Sequence, residues 1–181
     1  MTLKIDAAVC LCLDKRENEW RNLIEQGKQF NLDIHPFICG DGSCKDLVYS
    51  KVDEKDPDVS MWGYGRPGYK QHHYNAFKCH QKIISLAKYA QFNNILILED
   101  DAYITDRFSE VLNNLEKINA IPEQFDILYL GWWVGHETDQ MNESLETLWN
   151  DNKICGIRKA YQVGGLHGAL INSSMFDTIL N

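Results

Sequence analysis

The sequence predicts a single α/β domain in which helices flank a mostly parallel sheet. Short unbroken apolar runs, such as residues 7–13 and 95–98, are typical of strands that are buried on both faces. Amphipathic helical patterns alternate with these runs along the chain. The length of 181 residues suits one domain, and 44% hydrophobic with 24% charged residues argues against a disordered chain.

The first part of the chain predicts a strand–helix–strand unit. Residues 7–13 form the first strand and residues 34–39 the second, which ends at a Gly-Asp-Gly turn signature. The apolar stripe of the helix between them consists of Trp20, Leu23, Ile24, Gly27 and Phe30. Because this order occupies about thirty residues, we expect a right-handed βαβ crossover.

Residues 43–73 lack periodicity and are rich in Asp, Gly, Pro and aromatic residues. Structureless stretches of this length in a domain are usually functional lids or disordered. The aromatic density favours a lid. Arg66 and Lys70 are candidates to clamp a phosphate from this lid, although solvated surface charge is the default interpretation for both.

The second half of the chain continues the alternation of helices and strands. A helix is expected at 75–91, with an inward face of Ala76, Cys79, His80, Ile83, Ala87 and Ala90. The later elements are a strand at 95–98, a helix at 106–119, a strand at 125–130, a turn at 131–136, a strand at 168–171 and a terminal helix capped by Ser173.

Three carboxylates, Glu99, Asp100 and Asp101, directly follow the strand at 95–98. Because side chains alternate along a strand, Glu99 and Asp101 should point one way and Asp100 the other if the strand geometry continues through the triplet. Acids at the end of a buried strand are costly unless basic groups, backbone donors or a cation neutralise them. Ligands bind beyond the carboxyl ends of strands in such sheets. We therefore expect a divalent metal and a diphosphate here, with helix capping near residue 105 as the alternative.

The net charge and the cysteine content bear on nucleic-acid binding and on the cellular compartment. A net charge of −8 disfavours a broad nucleic-acid surface. The six cysteines contain no Cys-x-x-Cys pair, so we expect free thiols in a reducing compartment, with Cys10 and Cys12 buried. The apolar run at 7–13 is too short to span a membrane and lacks a cleavage pattern, which predicts a cytoplasmic protein without a transmembrane segment.

Four ordered motifs suggest a family. The stretches 75–80, 95–101, 125–131 and 165–172 resemble, in order and rough spacing, those of glycosyltransferase family 25, which includes bacterial lipopolysaccharide and procollagen galactosyltransferases. The resemblance covers nearly the whole chain. Family members are longer, so residues 1–181 would be a fragment, a minimal enzyme or an N-terminal domain that lacks a C-terminal acceptor region.

The resemblance implies a GT-A fold with a Rossmann-like sheet, and an inverting transfer of sugar from a nucleotide-sugar donor such as a UDP-hexose. The acceptor would be a hydroxyl on a glycan or glycoprotein, and the cofactor Mn²⁺ or Mg²⁺. By this likeness Asp101 is the principal metal ligand, and Glu99 acts through water or on the donor ribose. Divalent cations of this class prefer carboxylate and phosphate oxygens.

The remaining site candidates are residues that the resemblance and the expected strand ends place near the acidic triplet. Residues expected to bind the donor are Leu13, Arg16, Gly40, Asp41, His80, Glu99 and Asp100. Inverting transfer needs a general base, for which Glu137 and Asp139 are candidates. Residues expected on the acceptor or lid side are Trp132, Trp133, Arg66, Lys70 and His167. A metal-dependent hydrolase and a non-catalytic nucleotide- or sugar-binding module remain open as alternatives.

Overall fold

The structure is a computed structural model that describes residues 4–39, 69–108, 110, 125–133, 147–150, 156–158 and 164–181. Side chains are described for 4–13, 15–39, 75–108, 110, 125–130 and 167–181. The helices and strands are β1 (Ala7–Leu13), α1 (Glu17–Gln29), β2 (Ile34–Cys39), α2 (Tyr69–Tyr89), β3 (Asn94–Glu99), β4 (Ile127–Trp133), β5 (Thr147–Asn150), β6 (Gly156–Arg158), β7 (Gly164–Asn172) and α3 (Phe176–Leu180).

Five strands form a mixed sheet in the order β2-β1-β3-β7-β4, and β5 pairs with β6 separately. Strand β1 is parallel to β2 and β3, whereas β7 is antiparallel to both β3 and β4. The α/β class is therefore confirmed, but the expectation of a mostly parallel sheet holds for only half of the strand pairs. An apolar run reports burial on both faces and carries no information about strand direction.

Strand β3 is the centre of the core. Its residues Ile95, Leu96, Ile97 and Leu98 are all buried, as expected for a strand that is covered on both faces. Leu96 and Leu98 pack on the side of α1, whereas Ile95 and Ile97 pack on the side of α2. Burial of each such side chain stabilises the fold by about 1.5–3 kcal/mol.

The turn after α1 depends on Gly27. The amides of Phe30 and Leu32 both donate to the Gly27 carbonyl, at 2.9 Å each, and the chain then turns into β2. A Cβ atom at Gly27 would lie 2.5 Å from Ile34 Cδ1 and 2.8 Å from the Leu32 carbonyl oxygen. The helix and the strand can pack this closely only because residue 27 has no side chain.

Helix α2 begins at Tyr69, six residues before the predicted start. Residues 69–73, which include Lys70, therefore belong to a helix, and the predicted helix start at residue 75 was wrong. The sequence of this first turn, Tyr-Lys-Gln-His-His, has no apolar stripe of its own, so periodicity alone could not extend the helix backwards. The rest of the expected lid, including Arg66, lies outside the described residues.

A disulfide joins Cys39, at the end of β2, to Cys79 in α2. This contradicts the prediction that the cysteines are free thiols, and it removes the basis for inferring a reducing compartment from them. The two residues are 40 positions apart and meet only because β2 ends against α2, which spacing cannot show. Cys10 and Cys12 are free and buried, as predicted. Among the described helices, none is both long and apolar enough to cross a membrane.

Two further boundaries differ from the sequence-based prediction. Strand β4 extends to Trp133, so Trp132 and Trp133 lie in a strand that changes register around Gly131, and the expected turn at 131 is absent there. At the C-terminal end the capping residue is Asn172, whose side chain accepts from the Ser174 amide, because Ser173 already belongs to a 3-10 turn. The helix predicted at 106–119 is helical at 108 and 110, and its remaining residues lie outside the described part of the chain.

Candidate functional site

The candidate site lies at the edge of the sheet where β1 and β3 end side by side. These strands are parallel, so the 3-10 turn Asp14–Arg16 after β1 and the acidic triplet, whose Glu99 is the last residue of β3, reach the same edge. Strand β7 runs the opposite way, and its Gly168 pairs with Leu98. This register brings His167 next to the triplet, so three segments that are remote in sequence converge.

Glu99, Asp101 and His167 form a compact cluster, in which one ligand atom from each residue lies within 4.8 Å of the others. His167 Nδ1 is 3.4 Å from Asp101 Oδ1 and 3.5 Å from Glu99 Oε2. Glu99 and His167 are half-buried, and Asp101 is exposed. Glu99 and Asp101 both approach His167, and Asp100 does not, which is the division that the sequence predicted. Strand alternation is not its cause, because β3 ends at Glu99 and residues 100–101 lie in a turn, where the Ala102 amide donates to the Glu99 carbonyl at 3.0 Å.

The electrostatics of the cluster favour a cation. Burial raises the pKa of Glu99, and the neighbouring carboxylate of Asp101 raises it further, while His167 acts in the opposite direction. Two carboxylates this close together repel each other when both are ionised. A divalent cation between them would relieve both the repulsion and the cost of burial.

Asp100 faces away from this cluster. Its Oδ2 accepts a hydrogen bond from the Leu13 amide at 3.0 Å, and its Oδ1 lies 2.8 Å from Arg16 Nη1. Arg16 also lies 3.8 Å from Asp101 Oδ2 and 3.9 Å from Glu19 Oε1. Burial raises the pKa of Asp100, and the Leu13 amide and Arg16 counteract this effect.

A cavity of about 150 Å³ opens beside these residues. The cavity is lined by residues at the ends of β1 and β3, by Asn75 and Ala76 of α2, and by Cys39. The predicted donor-binding residues that line it are Leu13, Arg16, Glu99 and Asp100, and the predicted metal ligand Asp101 lines it as well. The structure therefore gathers most of the described donor-site candidates around one cavity.

His80 lies in α2, four residues after Ala76, and is not among the residues that line the cavity. Its Nδ1 is 2.8 Å from the Ala76 carbonyl, and its Nε2 is buried without a hydrogen-bond partner among the described residues. Burial lowers the pKa of His80, which favours the neutral ring, and the contact with the Ala76 carbonyl acts in the opposite direction. Its contact with a donor stays a prediction.

Several predicted residues cannot be placed in the site. Gly40, Asp41, Arg66, Glu137 and Asp139 lie outside the described residues. For Lys70, Trp132 and Trp133 the structure describes the backbone and not the side chain. The general base and the stacking residues therefore stay predictions.

Two residues at the site were missed or given a different role by sequence reasoning. His167 was expected on the acceptor side, yet it stands against the acid pair because β7 is antiparallel to β3. Asn75 is a buried polar residue that lines the cavity. Its signal was a polar residue four positions before Cys79 on the inward stripe of α2, where an apolar residue would be expected.

Comparison with protein-family models gives no match, and comparison with curated proteins gives no significant match. The resemblance to glycosyltransferase family 25 therefore depends on the four motifs alone.

Proposed function

We propose that this protein is a metal-dependent glycosyltransferase that moves a sugar from a nucleotide-sugar donor, such as a UDP-hexose, to a hydroxyl on a glycan or glycoprotein. The observation that carries the proposal is the convergence of Glu99, Asp101 and His167 beside a cavity that Arg16 also lines. A cation site and a cationic side chain at one sheet edge are what a diphosphate needs.

The donor atoms of the cluster fit a divalent transition metal. Two carboxylates and one imidazole suit Mn²⁺ better than Mg²⁺ or Ca²⁺, because the latter two prefer an all-oxygen shell. The residues that would hold the ion are Asp101, Glu99 and His167. Bound there, such an ion would neutralise charge on a diphosphate leaving group.

Arg16 is the donor-side residue that the structure supports best. Its guanidinium is anchored by Asp100, and the Arg16 side chain is 32% exposed and lines the cavity, so N–H groups that do not contact Asp100 can donate to an anion there. Together with the cation, this arrangement would hold the diphosphate and orient the sugar toward an acceptor hydroxyl. Glu137 and Asp139 remain the candidates to take the acceptor proton.

Binding is tested by thermal unfolding with a panel of nucleotide sugars, with and without Mn²⁺. A ligand at one hundred times its dissociation constant stabilises by about 2.7 kcal/mol, which for a chain of this size raises Tm by roughly 5–10 °C. We expect this shift only when Mn²⁺ and a uridine nucleotide are both present. Asp101→Asn should abolish it, whereas Asp33→Asn, an exposed acid at the opposite edge of the sheet, should not.

Turnover separates the candidate reactions. Release of nucleotide that depends on an added acceptor supports the transferase, and release of free sugar without an acceptor supports a hydrolase. Binding without any turnover would indicate a non-catalytic module. Absence of Mn²⁺-dependent nucleotide binding in the folded protein would refute the metal-dependent proposal altogether.

A further inference from the structure

We infer that Asp100 is a positioning residue, which binds neither the cation nor the donor but fixes the Arg16 guanidinium at the edge of the cluster Glu99–Asp101–His167. The inference rests on the proposed function, since it concerns how that site would hold a diphosphate. It changes the role expected for Asp100 from donor binding to the orientation of a donor-binding side chain.

The contacts of Asp100 support this role. The residue is only 6% exposed, and its two carboxylate oxygens have different partners within the protein. Oδ2 accepts from the Leu13 amide at 3.0 Å, which fixes the end of β1, and Oδ1 pairs with Arg16 Nη1 at 2.8 Å. An ionised carboxylate with a backbone donor and a guanidinium is well satisfied without a metal.

The position of Asp100 in the chain separates it from the cation-binding face. Glu99 and Asp101 approach His167, whereas Asp100 is directed toward β1 and the turn after it. The outer two carboxylates of the triplet therefore face the proposed cation site, and the middle one holds the guanidinium of Arg16.

Arg16 needs such an anchor because of its surroundings. Its Nη1 is 3.8 Å from Asp101 Oδ2, and its Nε is 3.9 Å from Glu19 Oε1, both longer than the 2.8 Å contact with Asp100. Without Asp100 the guanidinium could pair with Asp101, which would compete with a cation for that carboxylate. A fixed guanidinium also loses less conformational entropy when it binds a diphosphate.

The test compares variants by titration calorimetry with two probes, Mn²⁺ alone and UDP at saturating Mn²⁺. We expect Asp100→Asn to weaken UDP binding by about tenfold or more, as expected for a charge-assisted hydrogen bond. Mn²⁺ affinity should fall at least roughly tenfold further in Asp101→Asn than in Asp100→Asn. Equal loss of Mn²⁺ affinity in the two variants would make Asp100 a ligand and overturn the inference.

A double-mutant cycle excludes a merely structural role. If Asp100 acts through Arg16, Asp100→Asn changes UDP affinity by less than about twofold when Arg16 is already alanine. If Asp100→Asn distorted the whole site, it would weaken UDP binding in the Arg16→Ala protein as well. Binding free energies of the two substitutions that add fully would therefore overturn the inference. Circular dichroism establishes that each variant is folded.

Arg16→Lys tests the inference even if Asp100→Asn does not fold. Lysine keeps the positive charge but has no planar fork with which to contact Asp100 and a diphosphate together. We expect it to bind UDP nearly as weakly as Arg16→Ala does, and wild-type affinity in Arg16→Lys would overturn the inference. A wild-type protein that binds neither Mn²⁺ nor UDP would instead refute the proposed function, so the two failures are distinguishable.

Discussion

The Cys39–Cys79 disulfide should contribute much of the stability of this domain. It closes a loop with a sequence separation of 40 residues. The chain-entropy relation gives about 13 cal/mol/K for a loop of this length, or about 4 kcal/mol at 25 °C. Since domains are stable by only about 5–15 kcal/mol, its loss should be large. The corresponding decrease in Tm is roughly 8–16 °C for a protein of this size.

The perturbation is the double variant Cys39→Ala/Cys79→Ala, and the assay is urea unfolding with and without a dithiol reductant. We expect the reductant to lower the unfolding free energy of the wild type by about 4 kcal/mol and to leave the variant unchanged. That insensitivity is the control, because it shows that the reductant acts through this one bond. A loss below about 1 kcal/mol, or a non-reducing peptide map without a Cys39–Cys79 linked peptide, would refute the reasoning.

Three further predictions concern the core and the acid cluster. Leu96→Ala should cost about 2–5 kcal/mol in urea unfolding because Leu96 is fully buried in β3, and a cost below about 1 kcal/mol would contradict its place in the core. Gly27→Ala should cost about 1–3 kcal/mol despite the helix propensity of alanine, because the new Cβ meets the Leu32 carbonyl, whereas the exposed Asn22→Ala should stay within about 0.5 kcal/mol. Glu99→Gln should raise Tm at pH 7 without metal. Folding raises the pKa of Glu99 above 4.5, so the wild type loses stability as the pH rises from 4.5 through the folded-state pKa and the carboxylate ionises. The gain in Tm from Glu99→Gln should therefore vanish near pH 4. A gain that is the same at pH 4 and pH 7 would refute this prediction.

Local patterns predicted the elements that build the site. The bounds of β1 and β2 agree with the apolar runs at 7–13 and 34–39, and the acidic triplet lies at the end of β3, as the apolar run before it indicated. These features depend on residues that are close in sequence, so they can be read from the order of apolar and polar residues.

Contacts between remote segments were not predictable in the same way. The direction of β7, the approach of His167 to Asp101 and the pairing of Cys39 with Cys79 all depend on which elements become neighbours. The hydrophobic periodicity of one segment does not show which other segments it will contact. The site was therefore predicted as an acidic edge with His167 on the acceptor side. The contact of His167 with the two acids and the Arg16–Asp100 pair became visible only in three dimensions.

The place of β7 in the sheet has a consequence for synthesis of the chain. It is the last of the described strands in sequence, yet it lies between β3 and β4 in the interior of the sheet. Until residues 164–172 have been synthesised, β3 and β4 each have an edge whose backbone hydrogen bonds to β7 are not yet formed. Nascent chains should therefore be vulnerable to self-association, and assembly should be slow because its decisive pairings are non-local.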